Sequence, residues 1–332
     1  MSGTLGPRRG LDQGFHRDAR GAPPTTPSIF RRMSFDARVV LARRLRFLPE
    51  RPFAVVKHAM FQGELSTLRR PRTYSQMLAV KNLKAQPPLV RLTADKYAVR
   101  EHVAERVGEQ FLIPLVQVVD RADDLDFDAM PGPCVIKGTH GCDMTILLPD
   151  LAKVDRDAVR RTVRRWLDTD FYKAGWRESP YRGLPRRAVV EELIGDRRTA
   201  PSDYKFFMFH GEPAMVVVDQ DRFSAHTSTL LSPDWHELDI SGRFAFADAL
   251  PEQPRNYAEM LDVARKLAAD FEFARIDLYN VDGRIYFGEI THNPGGGLVR
   301  LQPREFDLAL GEIWRHRTPL PERFVKRSTP SA

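Results

Sequence analysis

Polar and apolar residues alternate along ARIDLYNV (274–281) and RIYFGEIT (284–291), with Asp282-Gly283 between them. That pattern predicts a β-hairpin closed by a two-residue turn. Arg275, Asp277 and Tyr279 fall on one face of the first strand. On the second strand, strict alternation groups Ile285, Phe287, Glu289 and Thr291 opposite Arg284, Tyr286, Gly288 and Ile290. DYKFFMFHGEPAMVVVDQDRF reads as a second hairpin turning at His210-Gly211, and FLIPLVQVVD and RAVVEELIGD read as strands. CVIKGTHGCDMTILL reads as strand, small-residue loop, strand. Helical spacing appears from Ile29 to Phe47, from Pro71 in PRTYSQMLAVKNL, and over 155–170 and 256–272, with a short helix and turn at ADDLDFDAMPGP. LTADKYAVREHVAERVG, from Leu92, predicts one helix capped near Thr93 or Asp95 and ending at Gly108. Helices mixed with antiparallel hairpins predict an α+β fold, or α/β with mixed sheets.

Composition narrows the class. The 332 residues are 42% hydrophobic and 29% charged, enough for one large or two medium globular domains. A formal charge of +7, without a compact basic module, favours an acidic substrate over nucleic acid. Cys134 and Cys142 fit no zinc spacing. No apolar run reaches the roughly 18 residues of a membrane span, and the first residues lack a leader's apolar core. A cytoplasmic protein is expected, with residues 1–28 disordered or loosely attached. The basic helix at 29–47 presents either a solvated face or a weak contact with an acidic or membrane surface.

Asp277 and Glu289, one per strand, can converge across the hairpin. Asn293-Pro294-Gly295-Gly296-Gly297 follows, a turn whose glycines let backbone approach a ligand. Two acids and a nearby oxygen donor suit Mg2+; an ordinary hairpin with solvated acids is the alternative. His140 and His292 could serve as acid/base groups or as hydrogen-bonded structural residues. No Ser-His-Asp or Cys-His constellation points to a covalent intermediate.

Seven islands in order, PRTYSQMLAVKNL, ADKYAVREHV, VIKGTHGCD, VVEELIGD, DYKFFMFHGEP, RIDLY and IYFGEITHNPGGG, resemble the ATP-grasp superfamily over roughly residues 50–310. Their wording resembles its TupA-like branch, associated with teichuronopeptide and other cell-surface polymer biosynthesis. The resemblance implies a nucleotide held between two α+β subdomains with antiparallel sheets. It gives a helical N-terminal region at 29–115, a small lobe at 116–190, a large lobe at 191–318 and a tail at 319–332. It implies ATP and Mg2+, with Lys96 and Lys137 on the phosphates. Gly138 and Gly141 would open the cover loop to the polyphosphate, and Glu191, Glu192, Leu193 and Ile194 would form the adenine and ribose hinge. Only one acid of Glu191-Glu192 can face the nucleotide along an extended chain. Lys205 would reach the γ-phosphate or an acyl phosphate, with Asp203 orienting it or binding substrate. Asp277 and Glu289 would hold the metal. The family's Glu-x-Asn ending reads Glu289-Ile290-Thr291 here, so Thr291, Asn293 or water would supply the third ligand. Arg275 would stabilise phosphoryl and carboxylate oxygens, and Arg300 would clamp the acceptor carboxylate or lie solvated in its loop.

The activity implied is a carboxylate–amine ligase working through an acyl phosphate. Its substrates would be an amino acid, peptide or uronic-acid-bearing carboxylate and an amine, with no nucleic-acid partner. A sugar or hydroxyl kinase and a non-catalytic nucleotide-binding subunit of a polymer-assembly system are the alternatives. Residues 171–187 and 221–255, rich in arginines, aromatics and turn residues, are the expected specificity loops.

Overall fold

Two antiparallel sheets carry the strands that alternation predicts in this computed structural model, which describes residues 33–196, 201–220, 227–240 and 250–326. The expected loose segment at 1–28 and parts of the 221–255 loop lie outside the described residues. The first sheet has the order β1–β4–β2–β3, from β1 (Leu115–Val119), β2 (Cys134–Gly138), β3 (Thr145–Leu148) and β4 (Ala188–Glu192). The second has the order β7–β6–β5–β8–β9, from β5 (Asp203–Phe209), β6 (Glu212–Gln220), β7 (Thr227–Leu231), β8 (Phe273–Val281) and β9 (Arg284–Thr291). Both hairpin turns form where expected, with positive φ at His210 and Gly211 and at Asp282 and Gly283.

Besides a single helical turn at Phe171–Ala174, the helices among the described residues are α1 (Phe35–Arg44), α2 (Glu50–Gln62), α3 (Tyr74–Lys81), α4 (Pro88–Ala94), α5 (Val99–Arg106), α6 (Arg156–Asp168), α7 (Tyr257–Ala268) and α8 (Arg304–His316). Cys134, Ile136, Ala188 and Val190 cover one face of the first sheet and pack on Val159 and Val163 of α6. In the second sheet Tyr204, Phe206, Met208, Ala274, Ile276 and Leu278 form the main core with α7 and α5. The opposite face divides along its strands. Phe209, Met215 and Phe273 lie beneath Tyr74 and Leu78 of α3 and Leu310 and Trp314 of α8. Further along the same strands that face turns polar, at Asp203, Lys205, Asp219 and Asp277. A buried polar face must find partners or ligands, so this division places a site.

One predicted helix is two. α4 ends at Ala94 and α5 begins at Val99, because Asp95 leaves helical geometry (ψ 120°) and its Oδ1 accepts the N–H groups of Tyr97 and Ala98 at 2.8 and 3.0 Å. Thr93 belongs to the earlier helix. The break lets Lys96 N–H donate to Thr139 O at 3.1 Å, tying this corner to the loop after β2. The basic N-terminal helix is shorter than expected among the described residues. Ser34 caps it, and it is docked through Phe35, Val39 and Ala42 against Phe61, Trp176 and Leu298. No described helix is long and apolar enough to cross a membrane.

α3 starts as its residues predict, with a Thr73/Gln76 capping box worth roughly 1 kcal/mol. Gln76 also donates to Glu64, which Arg304 Nε reaches at 2.9 Å and His58 at 3.4 Å. The His58 hydrogen bond, with Arg304 and Gln76, outweighs burial and holds the Glu64 carboxyl at about 2, below its ordinary 4.5. A depressed carboxyl contributes stability that is complete above the unfolded pKa and fades as pH falls through the folded one. Glu64→Gln is therefore expected to flatten the fall of melting temperature between pH 4.5 and about 2; an unchanged acid limb would contradict this linkage.

Candidate active site

The polar half of the second sheet is built in rows set by strand register. Asp203 pairs with Tyr279 on one side and Asp219 on the other, and Lys205 pairs with Asp277 and Val217. Lys205 is buried, with Nζ on the Asp203 carboxylate and 2.7 Å from Asp219 Oδ2. Burial opposes its charge, but Asp203, Asp277 and Asp219 raise its pKa above the ordinary lysine value. Asp203 thus orients Lys205. Asp219 was not among the sequence candidates; counting back from the His210-Gly211 turn sets Val218 opposite Asp203, and a bulge at Ala214 shifts the pairing by one residue to Asp219.

Strict alternation fails in β9. Asp277 pairs with Glu289, yet the next residue, Leu278, pairs with Phe287, so Gly288 is an extra residue in a β-bulge. A Cβ on Gly288 would lie 3.0 Å from Asp277 O, which accounts for glycine there. The bulge reverses the faces: Ile285, Phe287 and Ile290 all enter the core, while Glu289 and Thr291 turn to the face of Arg275 and Asp277. Arg275 Nε and Nη2 donate to the two Asp277 oxygens at 2.7 and 2.6 Å. Arg275 Nη2 also reaches Glu289 Oε1 and Thr291 Oγ1, each at 3.1 Å. Thr291 Oγ1 donates to Glu289 Oε1 at 2.7 Å. Burial would raise the Glu289 pKa, but Lys96, Arg275 and the Thr291 hydrogen bond hold it at about 2.

Lys96 joins the sheets, with Nζ 2.7 Å from Gly141 O and 3.7 Å from Glu289 Oε2. On the first sheet Lys137 Nζ meets Glu191 Oε2 at 2.7 Å, and Arg100 Nη1 meets Glu191 Oε1 at 2.9 Å. Glu191 therefore shares the face of Lys137, while Glu192 is exposed. The N–H groups of Glu192 and Leu193 donate to Pro114 O and Pro133 O, leaving Ile194 as the hinge N–H without a backbone partner among the described residues. Gly138 N–H donates to Met144 O, so in this arrangement it does not face a ligand. A Cβ on Gly138 would strike Met144 at 2.8 Å, and one on Gly141 would strike Phe171 at 2.5 Å. Packing is thus a sufficient reason for both glycines.

Other candidates separate from this centre. Arg300 is half-buried, and its charge acts on Arg38; no contact joins it to Asp277 or Glu289. Asn293 Nδ2 donates to Glu178 Oε2 at 3.0 Å, and its buried Oδ1 has no donor. Burial pushes Glu178 up to about 7, against the opposing influence of Lys57. Lys57 Nζ lies 3.2 Å from both Trp176 O and Gly296 O. His292 is buried neutral, with Nε2 2.8 Å from Thr93 Oγ1, and His140 Nε2 meets Trp166 O at 3.0 Å. Burial lowers both pKa values, as in structural histidines.

Carboxylates placed opposite one another, with Glu289 Oε2 turned to Lys96, suit a hard cation that retains water and phosphate ligands. No group of three acid, histidine or cysteine side chains capable of holding a metal occurs among the described residues. A cation here would therefore have few protein ligands. Asp277 faces the Arg275 guanidinium with both oxygens, so an ion bound by both acids must displace that fork.

Residues 76–315 match the model of a family described as TupA-like ATPgrasp. No curated protein matches the chain. Solved structures similar to it include a D-alanine–D-alanine ligase from Bacillus anthracis complexed with ATP (15% identity, TM-score 0.37, covering 61% of this chain and 55% of that one). Others are an N5-carboxyaminoimidazole ribonucleotide synthetase in complex with ADP (12%, 0.41, 74% and 58%) and an L-amino acid ligase from Bacillus licheniformis (16%, 0.39, 76% and 55%). The chain spans a little over half the length of these structures.

Proposed function

This chain belongs to the TupA-like ATP-grasp family, and from that premise we propose that it is an ATP-dependent carboxylate–amine ligase. A substrate carboxylate oxygen attacks the γ-phosphorus and ADP departs. The amine nitrogen then attacks the acyl carbon, phosphate leaves, and the nitrogen loses a proton to give the amide. The observation that carries the reading is the convergence of Arg275, Asp277, Lys205 and Glu289 on one sheet, with Lys96 reaching Glu289 from the loop beside the other.

Lys96 and Lys137 hold the α- and β-phosphates, Glu191 with the Glu192–Ile194 hinge holds the nucleoside, and Lys205 stands at the transferred phosphoryl group. Asp277 and Glu289 would hold magnesium, and the ion would supply neutralisation of the charge on the polyphosphate. Thr291 steadies Glu289 by its hydrogen bond. Arg275 donates to oxygens that gain charge during transfer. The lobes at 116–190 and 191–318 enclose the nucleotide, and Arg300 at the exit of the glycine turn meets the acceptor carboxylate. The family association directs the substrate towards an amino acid, peptide or uronic-acid-bearing saccharide of a surface polymer.

An ADP-release screen of amino acids and uronic acids against an amine pool tests the reading. ADP is expected only when carboxylate and amine are both present. Release of AMP would rule out the acyl-phosphate route, and a stable phosphorylated product formed without amine would make the protein a kinase. ATP binding without turnover across the panel would identify a non-catalytic subunit.

A further inference from the structure

Helix α1 carries apolar residues on both of its sides. Phe35, Val39 and Ala42 turn inward onto Phe61, Trp176 and Leu298. On the side away from them Val40, Arg43, Arg44 and Phe47 recur every three or four residues, all exposed. Phe47 lies just past the helix, in the 3-10 turn Leu45–Phe47 that continues it. Val40 is 51% and Phe47 79% exposed, and no other large hydrophobic side chain among the described residues is as exposed as Phe47. Arg43 and Arg44 lie between them, and Arg51 follows at the start of α2. All three arginines are exposed, and none is ion-paired to an acid among the described residues. The acids bordering this face do not balance it. Asp36 stands at the far end, in the first turn, and Glu50 is already held by Arg182 and by Tyr172 Oη at 2.7 Å.

A face that is both apolar and cationic is matched by a surface with anionic headgroups over an apolar interior. We propose that this side of α1 docks on an anionic phospholipid bilayer. Phe47 and Val40 enter the boundary between headgroups and acyl chains, and Arg43, Arg44 and Arg51 meet lipid phosphates. A second copy of this chain suits the face less well, because a two-fold contact through it would set arginines against the same arginines. A folded protein partner is disfavoured by area. A stable interface buries about 800 Å2 on each side, whereas two apolar side chains stand out here, and a bilayer demands no complementary shape. The inward side of α1 packs on Trp176 and Leu298, so docking would hold the 171–187 stretch and the exit of the glycine turn one helix away from the lipid. The proposal is independent of the ligase reading.

Co-sedimentation of the full chain with sucrose-loaded vesicles tests this, using phosphatidylcholine alone and phosphatidylcholine mixed three to one with phosphatidylglycerol. The chain is expected to bind the mixed vesicles, less so as salt is raised, and not the neutral ones. Phe47→Ser, and Arg43→Ser combined with Arg44→Ser, should each weaken that binding by roughly tenfold or more. Melting temperature should stay unchanged in both variants, since every substituted side chain is exposed. The proposal is overturned if the wild type does not bind the mixed vesicles, or binds neutral vesicles equally well. It is also overturned if the variants bind as the wild type does, which would place the lipid contact elsewhere in the chain. Sedimentation without lipid adds a last arm. A concentration-dependent dimer that Phe47→Ser dissolves would make this face an interface between copies and would overturn the proposal as well.

Discussion

Glu289→Gln should fold as the wild type does and lose ADP release by roughly a hundred- to a thousand-fold. The substitution keeps the shape of a side chain that is 34% exposed and still accepts from Arg275 and Thr291 through one oxygen. What it removes is the negative charge opposite Asp277, on a carboxyl held ionised at about 2 and hence at any working pH. On the proposed function, a magnesium ion held here would depend on that charge. Melting temperature and circular dichroism check the fold, and ADP release with a productive carboxylate and amine pair checks the chemistry. Turnover within a few-fold of wild type would remove Glu289 from the metal site.

Arg275→Met should have the larger effect on stability, about 3–5 kcal/mol at neutral pH. Asp277 is buried, and both its oxygens face the Arg275 fork. Deleting the guanidinium leaves a buried carboxylate opposed chiefly by Lys205. Arg275→Lys should recover part of the loss, since an ammonium restores charge but not the two-pronged contact. A second readout follows from geometry. The guanidinium bonds both acids proposed to hold magnesium, so fork and ion compete for the same oxygens. Millimolar Mg2+ alone should raise the melting temperature of Arg275→Met more than that of the wild type. Equal stabilisation of both proteins would mean that the ion sits elsewhere.

Local rules accounted for much of what was legible in the chain. Pro71 and Thr73 ahead of an apolar-periodic run announced a helix start, and Asp282-Gly283 announced a tight turn; both signals act within a few residues. The nearness of Asp277 to Glu289 was legible for the same reason, although counting from the turn sets Asp277 opposite Gly288 and only the bulge moves the pairing to Glu289. The faces in β9 were not. A period-two reading cannot detect one extra residue, and the Gly288 bulge is what turns Glu289 away from Phe287. The break at Asp95 was hidden because apolar spacing continues through it; what ends the helix is an aspartate whose other oxygen accepts from Thr139, remote in sequence.

By itself the sequence determined most of the elements, the hairpin turns, the family and the residue types available for phosphate and metal chemistry, because propensity, turn geometry and motif order are properties of neighbouring residues. Only the tertiary structure decided that Lys96 bridges the two sheets, that Asp219 steadies Lys205, that Glu191 rather than Glu192 joins Lys137, and that Glu178 lies against Asn293. Lys205 and Asp219 meet across one hairpin whose bulge shifts its register by a residue, whereas the other contacts join segments far apart in the chain, and no local pattern records which side chains meet once the apolar faces of the sheets are buried.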